Sequence, residues 1–255
     1  IAISRQFPEA FSALRVQRLA ATYQAWMQAL QQRCPAQERP QVVLLTPGPY
    51  NESYFEHAYL ARYLGVPLVE GKDLTVRDQR VYLKTLHGLE PVHGIIKRLA
   101  DRWLDPLELR ADSTLGVPGL LQALRAGHVW MVNQPGTGVL ECSAWHGFMP
   151  AIGQHLLGEA LTLPALPTWW CGEAAVLREA TGRLNDSVIR STYPGSGRGT
   201  VMGRHLNSAG QAEWADGLRR ELDQHTVQRW LPLSQTPTWH QGRLLPRSAM
   251  LRVFV

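Results

Sequence analysis

A chain of 255 residues is long enough to bury a core as one large or two modest domains, without a metal or disulfide staple. Its 45% hydrophobic and 18% charged residues exclude a disordered or fibrous chain. The net charge of +5 is spread among neighbouring acids, which excludes an extended nucleic-acid footprint; the surplus suits an anionic ligand such as a nucleotide but on charge alone reads first as ordinary surface charge. Cys34, Cys142 and Cys171 are too few and too far apart for a disulfide framework or a zinc ligand set. They point to reduced thiols and a cytoplasmic setting. No apolar run reaches the about 18–20 residues of a membrane span, and no signal peptide is visible. Residue 1 is isoleucine, and the apolar run Met250–Val255 reads as a strand still in progress. The chain is therefore expected to begin and end inside a larger polypeptide and to carry an incomplete site.

In chain order, residues 8–33 place Phe11, Leu14, Leu19, Tyr23, Trp26 and Leu30 at helical spacing after Pro8, which predicts one helix. Val42–Leu45 is a buried-type strand that runs into the turn Thr46–Asn51. A helix follows over 52–64 with Gly65 as its C-cap, and Pro67–Val69 resumes as strand. Strand, tight loop, helix and strand make a βαβ unit of an open parallel sheet. Residues 74–86 read as a hairpin and Val92–Ile96 as a buried strand. Residues 113–126 read as a helix opened by Asp112 and Ser113, and Val129–Val132 as a strand. A helix is expected over 141–157. Near 163–170 three prolines and the Trp169–Trp170 pair mark a soft boundary. Beyond it come a helix near 173–180, a strand Ser187–Arg190, the glycine-rich stretch 194–199, a helix over 208–223, a strand Thr226–Gln228 and a last strand from Leu244 to Val255. The nine tryptophans stand mostly in apolar contexts and read as core.

Three constellations carry possible chemistry. The turn Thr46–Asn51 leads into a helix N-terminus, where amides and the helix dipole favour anions, with Asn51 as N-cap and Glu52 and Glu56 on one face. The stretch 97–112 runs from a strand end into a mixture of Arg, Asp and Glu. Arginine there clamps phosphate or carboxylate, and Asp101, Asp105 and Asp112 are oxygen ligands of the kind magnesium takes. Arg190 ends a strand that precedes a glycine loop able to cover phosphates, without P-loop spacing. Set against these are plainer readings: an N-cap with a solvated acidic face, a salt-bridge network and a surface loop. His57 reads as helix packing. No H-E-x-x-H and no G-x-S-x-G occurs, which leaves zinc and an α/β-hydrolase elbow unsupported.

Long strings go further than these spacings. Leu44–Gly65 (LLTPGPYNESYFEHAYLARYLG), Leu68–Leu74 (LVEGKDL), Asp105–Leu120 (DPLELRADSTLGVPGL), Leu163–Gly172 (LPALPTWWCG) and Leu251–Phe254 (LRVF) resemble the circularly permuted ATP-grasp type 2 family. The form it resembles is often fused to an alpha-E domain, and its relatives include glutathionylspermidine synthase. The resemblance implies an ATP- and Mg2+-dependent ligase. Such an enzyme activates a carboxylate as an acyl-phosphate and lets an amine attack, giving an amide or peptide bond. It implies a pre-ATP-grasp-like α/β domain over 1–165 and a partial ATP-grasp portion over 166–255. Missing N- and C-terminal parts of the same chain would carry metal ligands and a downstream Pro-Gly-Gly-Leu-Thr-Arg stretch.

The roles implied residue by residue are charge handling by Arg98, Asp101 and Arg110, with Asp101 also a metal ligand. Arg190, Ser196, Gly197 and Gln228 would bind nucleotide, and Asn51, Glu52, Glu70 and Asn133 the small-molecule or peptide substrates. The chain departs from the family pattern at three places. It reads Lys97-Arg98 and Ala100-Asp101 for paired arginines and aspartates, Arg190 for a lysine, and Gln228-Arg229 for Gln-Glu. Ala100 and Arg229 also fit an alternative, a degenerate ATP-grasp-like binding or scaffold domain without turnover. A nucleotide-sugar transferase would account for the strand-end loops but not for the long strings. Neither nucleic acid nor membrane is an expected partner.

Overall fold

Val42–Leu45 (β1) consists of four apolar residues, and all four are buried. A strand reads this way when both its faces are covered. Val43 and Leu45 join one core cluster with Ile95 and Met131, while Val42 and Leu44 join a second with Leu30, Ala61 and Ile96. The structure, a computed structural model, describes residues 5–35, 39–195 and 199–252. It divides into two compact units, Ile1–Thr137 and Gly138–Val255.

In the first unit, β1 pairs in parallel with Leu68–Val69 (β2) on one side and Gly94–Lys97 (β6) on the other. Trp130–Val132 (β7) adds to β6, giving the order β2-β1-β6-β7. Between β2 and β6 a three-stranded antiparallel meander is inserted: Leu74–Arg77 (β3), Arg80–Thr85 (β4) and Gly88–Val92 (β5). Its Leu74, Val81 and Val92 complete the cluster around Val43 and Leu45. Asp78 and Gln79, both at positive φ, make the two-residue turn between β3 and β4. The helices are Pro8–Ala13 (α1), Ala20–Arg33 (α2), Tyr54–Leu64 (α3) and Leu120–Arg125 (α4). The parallel sheet and its flanking helices are the expected α/β architecture.

Local differences from the sequence reading have visible causes. The single helix expected over 8–33 is two, because Arg15 takes a left-handed φ of 50° and ends the first. The helix expected over 113–126 shortens to α4. Its first half is held as loop by the Ser113 hydroxyl, which donates to the Trp103 carbonyl at 2.8 Å. The Val92–Ile96 strand is divided at His93 between the meander and the parallel sheet. None of the tryptophans is fully buried, but Trp26, Trp103, Trp130, Trp169 and Trp214 are half-buried against the core clusters, as the core reading expects, while Trp239 is exposed. Arginine guanidiniums lie over four tryptophans: Arg33 over Trp130, Arg102 and Arg110 over Trp103, Arg183 over Trp169 and Arg204 over Trp230.

The second unit is built on an antiparallel sheet of Thr168–Trp170 (β8), Ser187–Ser191 (β9), Val201–Met202 (β10) and His225–Arg229 (β11), in the order β10-β9-β11-β8. Trp145–Leu157 (α5) precedes it. Ala174–Gly182 (α6) and Ser208–Arg220 (α7) contribute Ala180 and Leu218 to a core with Ile189 and Val227. A separate hairpin, Gln235–His240 (β12) and Arg243–Ser248 (β13), exposes nearly every residue. The sequence reading held only its second half, as a strand from Leu244 to Val255. The hairpin ends at Ser248, and residues 253–255 lie outside the described part. No helix among the described residues is long and apolar enough to cross a membrane.

Asp105, fully buried, ties the stretch after β6 to α4. Its carboxylate accepts the Leu107 and Gly119 amides at 3.0 and 3.1 Å and the Leu121 amide at 3.0 Å. Removing an acceptor from buried donors costs about 1–3 kcal/mol per orphaned group. Asp105→Ala is expected to destabilise the first unit by about 2–5 kcal/mol, with Asp105→Asn losing less. The midpoint of urea unfolding followed by Trp fluorescence checks this.

Candidate functional site

Because β2, β1, β6 and β7 are all parallel, their carboxyl ends open on one edge of the sheet. The chain leaves β1 toward β2 and returns on the other side at β6, so the strand order reverses between β1 and β6. Ligands of open α/β sheets bind outside such a reversal. The residues that follow the four strands are Thr46, Glu70, Arg98 and Asn133. Three of these, Glu70, Arg98 and Asn133, are site residues expected from sequence.

The turn after β1 is fixed by a pair that sequence reasoning did not find. The buried Thr46 hydroxyl is hydrogen-bonded to His57 Nδ1 at 2.9 Å and accepts the Gly48 amide at 3.3 Å. Gly48 has φ 97°, and a Cβ there would lie 3.1 Å from Glu70 Oε2. The turn and the end of β2 therefore touch, and Glu70 reaches over the glycine. Its carboxylate also pairs with Lys72 at 3.0 Å, while its amide donates to Asp73 Oδ2 at 2.9 Å. Asn51 is not the N-cap of α3. That position is Ser53, and the Asn51 Oδ1 accepts the Ser53 amide at 2.9 Å. Asn51 and Glu52 are exposed beside the turn, and Glu52 precedes the helix instead of sharing its face with Glu56.

At the end of β6, Lys97 forms an ion pair with Asp101, whose Oδ2 also accepts the Gly136 amide at 2.8 Å. This brings the loop after β7 to the loop after β6, so Asp101 joins the sheet edge. Arg98 is exposed, its amide bonded to the Leu45 carbonyl at 2.9 Å. Its guanidinium makes no ion pair among the described residues. His57 is held below its ordinary pKa, first by burial and then by the Arg98 charge. Arg110 is engaged elsewhere: it forks onto Asp112 at 2.6 and 3.0 Å and stacks 4.0 Å from the Trp103 ring centre. Asp101, Asp105 and Asp112 thus have three separate partners. No group of three metal-ligating side chains occurs among the described residues.

In the second unit, alternation along the strands puts Arg190, Thr226 and Gln228 on one face of the sheet, opposite the face of Ile189 and Val227. Gln228 donates to the Thr168 hydroxyl at 3.1 Å, and the Thr226 and Thr192 hydroxyls meet at 3.1 Å. Beside them a mainly apolar cleft of about 180 Å3 is lined by Trp145, Phe148, Trp170, Thr192 and Tyr193. Arg190 is exposed without an ion pair among the described residues. Ser196 and Gly197 lie outside the described residues.

A sequence model of the circularly permuted ATP-grasp type 2 family matches residues 1–255. The chain belongs to this family. Similar proteins include Rv2411c, an uncharacterized protein of Mycobacterium tuberculosis, 36% identical over 253 residues, 99% of this chain and 46% of that protein. Another is sll0335, an uncharacterized protein of Synechocystis, 33% identical over 250 residues, 98% of this chain and 52% of that protein. The chain spans about half the length of these relatives. Among solved structures, D-alanyl-alanine synthetase A of Vibrio cholerae aligns at a TM-score of 0.37 and 11% identity, over 83% of this chain and 66% of that one. That likeness is too slight to carry an argument.

Three outcomes follow for this ATP-grasp chain. The folded state resists protonation of His57, so this contribution to stability is complete above the ordinary value of 6.5 and is lost as pH falls below it. Arg98→Gln is expected to raise the His57 pKa, read from the ring-proton NMR shift, with His57→Gln assigning the resonance. Gly48→Ala is expected to destabilise by about 1–3 kcal/mol through its left-handed backbone, measured by denaturant unfolding.

Proposed function

We propose that this chain is part of an ATP-dependent ligase that joins a carboxylate to an amine through an acyl-phosphate. The observation that carries the reading is the face of the second unit where Arg190, without an ion pair among the described residues, shares a face with Thr226 and Gln228 beside an aromatic cleft. That arrangement suits a nucleotide: a guanidinium for phosphoryl oxygens, an amide for hydrogen bonding and a flat apolar wall for a base. Bound ATP would supply the phosphoryl group that activates the acid. Arg190 would hold that group's charge, and Gln228, braced by Thr168, would orient its neighbour. In the first unit, Arg98, with Glu70 and Asn133 along the same sheet edge, supplies charges suited to a small acid or amine. Arg110 remains a candidate only if it exchanges Asp112 for substrate.

Magnesium fits the described residues poorly. The Asp101 carboxylate is already taken by Lys97 and the Gly136 amide, and no other acids gather around it. No step is drawn through the metal. The same neutralised Asp101 favours the second reading, an ATP-grasp-like binding domain without turnover.

Calorimetry of the full-length protein with ATP tests the first reading. Arg190→Ala is expected to weaken ATP binding about tenfold or more, and Arg190→Lys to retain most of it. Absence of ATP binding by the unmodified protein would sink the proposal. ATP binding without phosphate release, in the presence of a panel of acids and amines, would select the non-catalytic reading.

A further inference from the structure

At the end of α6 a second polar cavity, of about 250 Å3, is lined by Trp169, Arg183, Asn185, Asp186, Ser187 and Arg229. It lies apart from the face just described. Trp169, Ser187 and Arg229 alternate with Thr168, Val188 and Gln228, so they belong to the side of the sheet that carries Ile189 and Val227.

The charges around this cavity are unusual in not cancelling one another. Arg229 and Asp186 line the same space, yet neither makes an ion pair among the described residues. Arg183 lies 5.7 Å from the Trp169 ring centre, and its one ion pair among the described residues is with Glu179, at 3.3 Å, an exposed pair that a ligand displaces at little cost. The buried Ser187 hydroxyl is committed to the Arg183 carbonyl at 2.8 Å, and Asn185 Oδ1 accepts from Gln211 at 3.3 Å, so the floor is already set. A simple anion entering here meets Asp186, and a simple cation meets two guanidiniums. A ligand carrying both signs satisfies all three. The volume corresponds to about eight waters at roughly 30 Å3 each, which is room for one small molecule.

We infer that this cavity binds a free α-amino acid. Its carboxylate is held by Arg229 and Arg183, its ammonium by Asp186, and its side chain rests on the Trp169 ring. The inference does not depend on the nucleotide reading, since the two sites lie on opposite faces of the sheet.

The test is calorimetric titration of the full-length protein with glycine, alanine and leucine, against acetate, methylamine and inorganic phosphate. The amino acids are expected to bind, with each singly charged probe at least tenfold weaker. Arg229→Gln and Asp186→Asn are each expected to raise the amino-acid Kd at least tenfold. ATP affinity and the thermal unfolding midpoint should stay unchanged in both. Acetate or phosphate binding as tightly as glycine would overturn the proposal. So would amino-acid binding that survives Asp186→Asn, or no binding of any amino acid. Loss of ATP binding in Arg229→Gln would also overturn it, by assigning the cavity to the nucleotide. Amino-acid binding by a protein that does not bind ATP would retire the ligase reading and leave this one standing.

Discussion

Burial of β1 on both faces is the constraint from which the first unit follows. Four consecutive apolar residues cannot be covered from one side, so the chain must lay α2 and α3 on one face and the meander with α4 on the other. Once β1 is central, β2 and β6 pair with it in parallel, and every strand then ends at the same edge. The polar residues after the strands need no long-range design to meet there. They are delivered by register, and Thr46, Gly48 and His57 then lock the first of those turns in place.

The charges at that edge are of two kinds. Lys97 and Asp101 are spent on each other, and through Gly136 they fasten two loops together. Arg98 is left without an acid among the described residues, and its charge adds to burial in lowering the His57 pKa. The second unit repeats the pattern with Arg190, exposed over a face of hydroxyls and an amide.

Elements defined by local signals were legible in the sequence. The run Val42–Leu45, the C-cap Gly65 and the β3–β4 turn all carry their cause within a few residues. The strand ends that share an edge were legible too, since a parallel sheet implies their convergence. The Lys97–Asp101–Gly136 link was not, because Gly136 is 35 residues from Asp101 and nothing local marks the pair. The engagement of Arg110 with Asp112 and Trp103 was not legible for a related reason. Its stacking on Trp103 depends on how 101–112 folds back, which composition does not report. Tryptophans in apolar surroundings read as core, and five pack half-buried against it, while an arginine over the ring lets an indole stay at the rim with one face covered. β12 escaped notice because both of its faces meet solvent, so its residues have no reason to alternate.

That last strand has a consequence for the dynamics of the molecule. β12 and β13 hold each other by a six-pair ladder, with Trp239 and Leu244 facing each other across it and both largely exposed. Two strands without a covering layer are marginally stable in water. The ribbon is therefore expected to open at a free-energy cost set by its own ladder and a few cross-strand contacts, independently of the four-stranded sheet. Among the strand amides of the described residues, those between Gln235 and Ser248 would exchange with solvent long before those of β1.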